Sequence, residues 1–323
     1  MNEFQLIARY FASSPCSNDV LLGIGDDAAV IAVPSGYRLV AAVDTIVEGI
    51  HFPHHSDAAD IAYRALAVNL SDMAAMGAVP RWFTLSLCIP AIDEAWMEHF
   101  ASSLQALAGR FDVQLVGGDT VKGPLNISIQ ILGLVESDKW LTRSGASPGD
   151  LIFVSGNPGE AAGGLQLLLT PRGAGSREEQ QYSQHLIQRF LRPEPRVALG
   201  RFLRLHASAA MDVSDGLLGD LRKLCASSGC GARLQLEQLP ASSALQVMFD
   251  DQQREQLILS GGDDYELLFT IAPQHEAVVA RAMAACDVVC TRIGVMSAGP
   301  EVSCFRDSQA VTFADAGYDH FAS

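Results

Sequence analysis

Apolar and polar positions along the chain switch repeatedly between a period of two and a period near 3.6, which predicts strands and helices mixed throughout. Residues 3–11 predict a short helix with Phe4, Ile7 and Phe11 on one face. Two strands, 28–33 and 37–43, flank Pro34-Ser35-Gly36 and predict a hairpin whose second strand ends at Asp44-Thr45. The Gly-, Pro- and His-containing stretch 47–55 predicts an irregular loop. Ser56-Asp57 then caps a long Ala-rich helix that stops at Gly77 and Pro80. On it Ile61, Ala65, Val68 and Asp72 share a face, with Asn69 one turn before the acid. An acid ending an apolar stripe needs a partner, because burying it alone is costly.

The pattern continues with a strand at 81–89 and a helix at 93–110, with Trp96, Phe100, Leu104 and Leu107 facing inward. A short strand at 113–116 runs into Gly117-Gly118-Asp119-Thr120, and another strand spans 125–135. The Gly-, Ser- and Pro-rich stretch 141–150 reads as a linker. Beyond it come a strand at 151–155, the turn Gly156-Asn157-Pro158-Gly159 and helices at 177–191 and 195–206. A strand at 208–213 delivers Asp212-Val213-Ser214-Asp215-Gly216, and a helix at 217–227 and a strand at 232–236 follow. Ser260-Gly261-Gly262-Asp263-Asp264-Tyr265-Glu266 enters a strand at 267–271, followed by a helix at 274–285. No short-period repeat interrupts this order. The fold class expected is α+β, as two α/β-sandwich domains at 1–140 and 141–323.

Composition sharpens the picture. With 323 residues, 49% of them hydrophobic, the chain is long enough for two cores. No apolar run approaches the ~20 residues of a membrane helix, and the first residues lack the basic-then-apolar pattern of a secretory signal. Seven cysteines are scattered without Cys-x-x-Cys spacing, which fits reduced thiols and a cytoplasmic location. The formal charge is −15, which argues against a nucleic-acid surface. It would also repel a phosphate ligand, and divalent cations are the simplest remedy.

Gly23-Ile24-Gly25-Asp26-Asp27-Ala28-Ala29-Val30 gives that remedy a place. Its two glycines allow a tight turn or close approach to a ligand, and two adjacent carboxylates follow. Asp44, Asp72, Asp119, Asp212 and Asp215 share the setting: most sit where an apolar strand gives way to Gly, Ser or Thr. Such acids predict a carboxylate-rich cleft suited to Mg²⁺, a hard ion bound by carboxylates together with substrate phosphates. No Gly-x-x-x-x-Gly-Lys-Ser/Thr loop and no protein-kinase motif set is present.

These motifs, together with His51-Phe52, the segment from Ala67 through Asn69-Leu70-Ser71-Asp72 to Gly77-Ala78, and Thr142-Arg143-Ser144-Gly145-Ala146, resemble the thiamine-monophosphate kinases. The resemblance extends over the whole chain, to Gly317-Tyr318-Asp319-His320-Phe321. It implies transfer of a phosphoryl group from ATP to thiamine phosphate, direct and in-line, with several Mg²⁺ ions and no phosphoenzyme. It implies Asp27, Asp44, Asp72, Asp119, Asp212 and Asp215 as metal ligands, with Asp26 supporting Asp27. Gly118, Asp119, Arg143 and Ser214 would contact ATP, and His51, Asp263 and Tyr318 the thiamine phosphate. It also implies a homodimer formed through the sheets of the N-terminal halves, with the C-terminal domain completing the active-site cleft.

Two positions depart from the family pattern. Ala42-Val43 stand where the family usually has Ser-Thr, and Asp263 where it more often has Glu. Several roles stay open: Arg143 contacts ATP or braces the linker, Tyr318 stacks on a substrate ring or anchors the C-terminus, and Asp264 and Glu266 act directly or as support. No general base is expected, since a phosphate oxygen is already anionic near neutral pH. The alternatives are another ATP-dependent synthetase of the superfamily that includes aminoimidazole ribonucleotide and selenophosphate synthetases, or a non-catalytic nucleotide-binding maturation factor. Cys16 lacks the neighbouring lysine of a selenophosphate synthetase.

Overall fold

The computed structural model describes residues 3–11, 17–171, 173 and 175–313. The chain forms two compact units, Met1–Met73 with Ala78–Asp138, and Ala74–Gly77 with Lys139–Ser323. Both mix helices and sheet, the expected α+β class.

In the first unit the elements run α1 (Glu3–Tyr10), β1 (Val20–Leu22), β2 (Val30–Ile31), β3 (Tyr37–Val47), α2 (Ala58–Ala75), β4 (Val79–Ile89), α3 (Glu94–Arg110), β5 (Gln114–Lys122) and β6 (Asn126–Glu136). Four strands form a sheet in the order β3-β6-β4-β5, in which only β4 and β5 are parallel. The hairpin expected from 28–43 does not form: β2 pairs antiparallel with β1, while β3 pairs along its whole length with β6. Eleven residues of β3 find eleven partners in β6, a longer ladder than the two-residue β2 could offer.

Helices α2 and α3 begin at side-chain caps, Asp57 accepting the Ala59 N–H and Asp93 accepting those of Ala95 and Trp96. The stripe of α2 is buried as expected at Ile61, Ala65 and Val68, whereas Asp72 at its end is half-buried. On α3, Phe100, Leu104 and Leu107 are buried; Trp96, expected inward, is half-buried and stacks on Phe100 while Met97 takes the core position. At α1, Phe11 is buried as expected and Ile7 half-buried, while Leu6 and Tyr10 are buried as well and the Phe4 side chain lies outside the described residues.

One face of the sheet buries Ile127, Ile129, Ile131, Leu85 and Leu87. On the other, Val20, Trp82, Val116 and Leu134 make a small core that β2 joins through Ile31. The rest of that second face is open, with Tyr37, Leu39 and Val43 of β3 exposed by 40, 49 and 63%.

The second unit continues with β7 (Leu151–Ser155), α4 (Glu160–Leu169), α5 (Arg177–Leu191), α6 (Val197–Leu203), β8 (Ala207–Val213), α7 (Leu217–Ser228), β9 (Gly231–Gln235), α8 (Ser243–Met248), α9 (Asp251–Ser260), β10 (Glu266–Ile271), α10 (Glu276–Cys286), β11 (Cys290–Ser297), β12 (Val302–Arg306) and β13 (Gln309–Val311). Its seven strands lie in the order β13-β12-β9-β11-β7-β10-β8, with β12 and β9 the one parallel pair. Strand side chains such as Ile152, Val154, Met211 and Leu268 form one core with α4, α5 and α7 to α9. On the opposite face Phe153 and Phe269 stack with ring centres 5.6 Å apart. Among the described residues no helix is long and apolar enough to cross a membrane.

Candidate functional site

The Gly23–Val30 stretch is irregular backbone in which Gly25 adopts a φ of +121°, a conformation open to glycine and strained for other residues. The Asp26 carboxylate accepts the backbone N–H of Asp27 at 2.9 Å. Both acids are exposed. Ile24 shares the lining of a small cavity of about 50 Å³ with Phe11, Leu85 and the segment Gly117-Gly118-Asp119-Thr120. Two of the motifs, some ninety positions apart, thus meet at one place in the first unit.

Asp44 and Asp119 do not end their strands, contrary to expectation. β3 runs three residues past Asp44, and β5 runs through both glycines to Lys122 because its parallel register with β4 holds across the Gly-Gly pair. Asp44 lies opposite Ile129, which in turn faces Leu85, whereas Asp119 lies opposite Ser86, in the row of Ser128 and Thr45. Adjacent rows project from opposite faces of a sheet, so Asp44 belongs to the helix-covered face and Asp119 to the open one. A Cβ on Gly118 would stand 1.9 Å from the Leu85 carbonyl oxygen, so packing against β4 alone requires a glycine there.

Asn69, which is fully buried, accepts the Asp44 backbone N–H on Oδ1 at 3.1 Å and donates from Nδ2 to the Ala65 carbonyl at 2.9 Å. It ties α2 to the Asp44 segment of β3. Val43, at one departure from the family pattern, points to solvent, and Ala42 beside it is half-buried. In the turn after β3, the Val47 N–H donates to His51 Nδ1 at 3.1 Å. A neutral ring so held carries its proton on Nε2 and presents a donor.

In the second unit the turn from β8 into α7 is clamped on both sides. Asp263 N–H donates to the Ser214 carbonyl at 2.8 Å and Tyr265 N–H to the Val213 carbonyl at 2.9 Å. Close approach there needs a missing side chain: a Cβ on Gly262 would lie 2.5 Å from the Ser214 oxygen. Asp263 and Tyr265 both adopt positive φ, 72° and 51°, which for a bulky Tyr is a strained state held by its surroundings. From the other side, Asp220 Oδ2 accepts the N–H groups of Ser214 and Asp215, each at 3.0 Å. Lys223 donates to Asp220 Oδ1 at 2.8 Å and to Asp215 Oδ2 at 2.5 Å. Burial disfavours charge on Lys223, but the Asp215 and Asp220 carboxylates outweigh it and raise its pKa. Burial raises the pKa of Asp220 despite Lys223. Asp212 is buried and Asp215 half-buried. Arg143 is exposed, and its carbonyl accepts the Ser228 hydroxyl at 3.0 Å. Tyr318 lies outside the described residues, as does Cys16.

Asp264 and Glu266, whose roles the sequence left open, are buried and bonded within the fold. Asp264 is buried and accepts the N–H groups of Gly159 and Ala161 at 2.6 and 3.1 Å, closing the start of α4, and burial pushes its pKa well up. Glu266, wholly buried, takes the Ser155 hydroxyl at 2.5 Å and the guanidinium groups of Arg189 and Arg196 at 2.7 Å and 2.5 Å. Glu160 binds Arg189 at 3.2 Å and His185 at 3.0 Å.

The expected metal ligands thus divide between the units, Asp27, Asp44, Asp72 and Asp119 in one and Asp212 and Asp215 in the other. Among the described residues no group of three or more His, Cys, Asp or Glu side chains is gathered closely enough to hold a metal ion. The donors themselves suit a hard divalent cation, being carboxylate oxygens, and Asp215 already receives a cation, the Lys223 ammonium.

The chain is similar to known proteins along nearly its whole length. The AIR synthase related protein N-terminal domain matches residues 25–135, and the AIR synthase related protein C-terminal domain matches 147–307. The thiamine-monophosphate kinase of Salmonella typhimurium (strain LT2) is 48% identical over 323 residues, covering 99% of this chain and 98% of that protein. Among solved structures, the thiamine-monophosphate kinase of Stenotrophomonas maltophilia K279a superposes with a TM-score of 0.84 at 41% identity, covering 95% of this chain and 96% of its own. AaThiL, complexed with AMPPCP and TMP, superposes with a TM-score of 0.78 at 30% identity, covering 92% of each chain.

Proposed function

The chain belongs to the thiamine-monophosphate kinase family, and from that premise we propose that it transfers the γ-phosphoryl group of ATP directly to thiamine phosphate, giving ADP and thiamine diphosphate. The observation that carries this reading is the relative of that name, 48% identical across essentially the whole of both chains. The carboxylates that the family pattern calls for are present at every position, which favours an active kinase over a scaffold that has lost its metal.

The acceptor phosphate has a second pKa near 6, so its oxygen is anionic at neutral pH and needs no base. Catalysis then rests on positioning and on neutralising charge. Mg²⁺, when bound, would supply positive charge that stabilises the phosphoryl group in transfer. Asp27, Asp44, Asp72 and Asp119 of the N-terminal unit, and Asp212 and Asp215 of the C-terminal unit, would supply its oxygen ligands. Asp26 fixes the backbone at Asp27, and Asn69 that at Asp44. Gly118 and Ser214, with the Arg143 guanidinium, would contact ATP. His51 offers a donor from Nε2 rather than an accepting base, which suits a phosphate contact. Asp263, held in its strained turn, and Tyr318 would meet the rest of thiamine phosphate.

A homodimer through the open face of the four-stranded sheet would cover Leu39 and Val43, whose exposure is large for apolar side chains. Val43→Lys should then shift the purified protein toward monomer in light scattering.

The deciding assay combines purified protein, ATP, Mg²⁺ and thiamine phosphate, with thiamine diphosphate read by chromatography. Product formation supports the reading. No product, with turnover of another acceptor, overturns it in favour of a related synthetase.

A further inference from the structure

We propose that Asp220 and Lys223, one turn apart on α7, are positioning residues that hold Asp215 ready for a divalent cation, with the Lys223 ammonium standing at the carboxylate until the ion displaces it. The inference rests on the reading of Asp215 as a metal ligand and adds the two residues that prepare it.

The geometry separates the two tasks. One oxygen of Asp220 takes two successive amides, those of Ser214 and Asp215, each at 3.0 Å. Both carbonyls on the far side of the same turn, at Val213 and Ser214, are taken by Tyr265 and Asp263. The backbone carrying Asp215 is therefore bonded on both edges before any ligand arrives. Asp220 is wholly buried, and an apolar residue in its place would leave two amides without their acceptor.

Its other oxygen anchors Lys223 Nζ at 2.8 Å, and that ammonium reaches Asp215 Oδ2 at 2.5 Å. Lys223 is one of only three lysines in a chain of net charge −15. Its side chain is 43% exposed, so it can swing on its flexible stem toward water while a doubly charged ion takes its place. A built-in monovalent cation offsets the Asp215 charge and yields to a more strongly charged one.

The test titrates Mn²⁺ into the full chain with a non-hydrolysable ATP analogue present, following free Mn²⁺ by electron paramagnetic resonance. Lys223→Met removes the competitor and is expected to tighten Mn²⁺ binding by up to about fivefold, the scale of a partly exposed ion pair. Asp220→Ala is expected to weaken it, with Asp220→Asn restoring part of the loss because an amide oxygen still accepts both N–H groups. Asp215→Asn separates this proposal from the reading beneath it. If it leaves Mn²⁺ binding unchanged, the metal role of Asp215 fails and the positioning role with it. If Asp215→Asn weakens binding but Lys223→Met binds as the unsubstituted protein does, or less tightly, only the displacement role is overturned. Asp220→Ala binding at full strength overturns the clamp.

Discussion

Three acids of the first unit and three of the second are held in opposite ways. Asp26, Asp27 and Asp119 of the first unit stand exposed, on irregular backbone or on the open face of a sheet. In the second unit Asp220, Asp264 and Glu266 are buried, and each is engaged by backbone amides, a lysine or arginines. An exposed carboxylate costs little to keep charged and is available to an external cation. A buried one is tolerated only because the fold supplies its partners, and removing them is expensive. The first arrangement suits acids kept for a ligand and the second acids kept for shape. Half-buried Asp44, Asp72 and Asp215 stand between them, Asp215 with one protein cation at its carboxylate, and Asp212, buried yet proposed as a metal ligand, crosses the division.

The comparison breaks most readily at its extremes. Asp119→Asn should lower kcat by about a thousandfold, the several kcal/mol a metal contact supplies in the transition state, while the melting temperature stays put. Retained turnover would remove Asp119 from the site. Glu266→Gln should do the reverse to the fold. It leaves Arg189 and Arg196 facing a neutral group in a buried setting, and the expected loss is about 3–5 kcal/mol, read from a urea midpoint. An unchanged midpoint would show that the buried acids are not the scaffold. His51→Ala should act more mildly, raising KM for thiamine phosphate about tenfold with kcat little altered, as loss of a hydrogen bond to a charged group would. An unchanged acceptor KM would leave His51 as a turn residue only.

What could be read from the chain beforehand follows the range of the forces involved. The long helices α2 and α3 were legible because Asp57, Asp93 and Gly77 mark their ends locally and the 3.6-residue period runs uninterrupted between. The hairpin expected at 28–43 does not form: Pro34-Ser35-Gly36 is a genuine turn signal, yet the partner of β3 lies in β6, far along the chain. Asp119 looked like a strand exit for the same reason: Gly117-Gly118 punctuates locally, while pairing with β4 carries the strand through. Asp220 was the residue to find. It sits in the first turn of a helix among Leu217, Leu218, Leu221 and Leu224, the same acid-in-an-apolar-face signal that singled out Asp72. Asn69 stands beside Asp72 on α2, but its bond to the Asp44 backbone depends on how α2 lies on the sheet and has no sequence signature.

The smallest expected effect tests the buried side of the comparison at its rim, where Glu160 meets His185. Burial disfavours charge on Glu160, but His185, the Ser242 hydroxyl and Arg189 outweigh it and lower its pKa below the ordinary 4.5. The Glu160 carboxylate in turn raises the His185 pKa above the ordinary 6.5, against a smaller cost of burial. A raised histidine pKa stabilises the fold fully below 6.5, and that contribution is lost as pH climbs through the folded value. A lowered glutamate pKa stabilises above 4.5 and is lost as pH falls through its folded value. The pair should therefore help most between these limits and fade in alkaline buffer. Because the His185 side chain is 51% exposed and Arg189 still holds Glu160, screening leaves about 0.5 kcal/mol or less. His185→Gln should accordingly be slightly less stable than the unsubstituted protein in mildly acidic buffer and equal to it in alkaline buffer. A gap of the same size at both would mean that His185 contributes packing rather than charge, and that the ion-paired scaffold ends at Arg189.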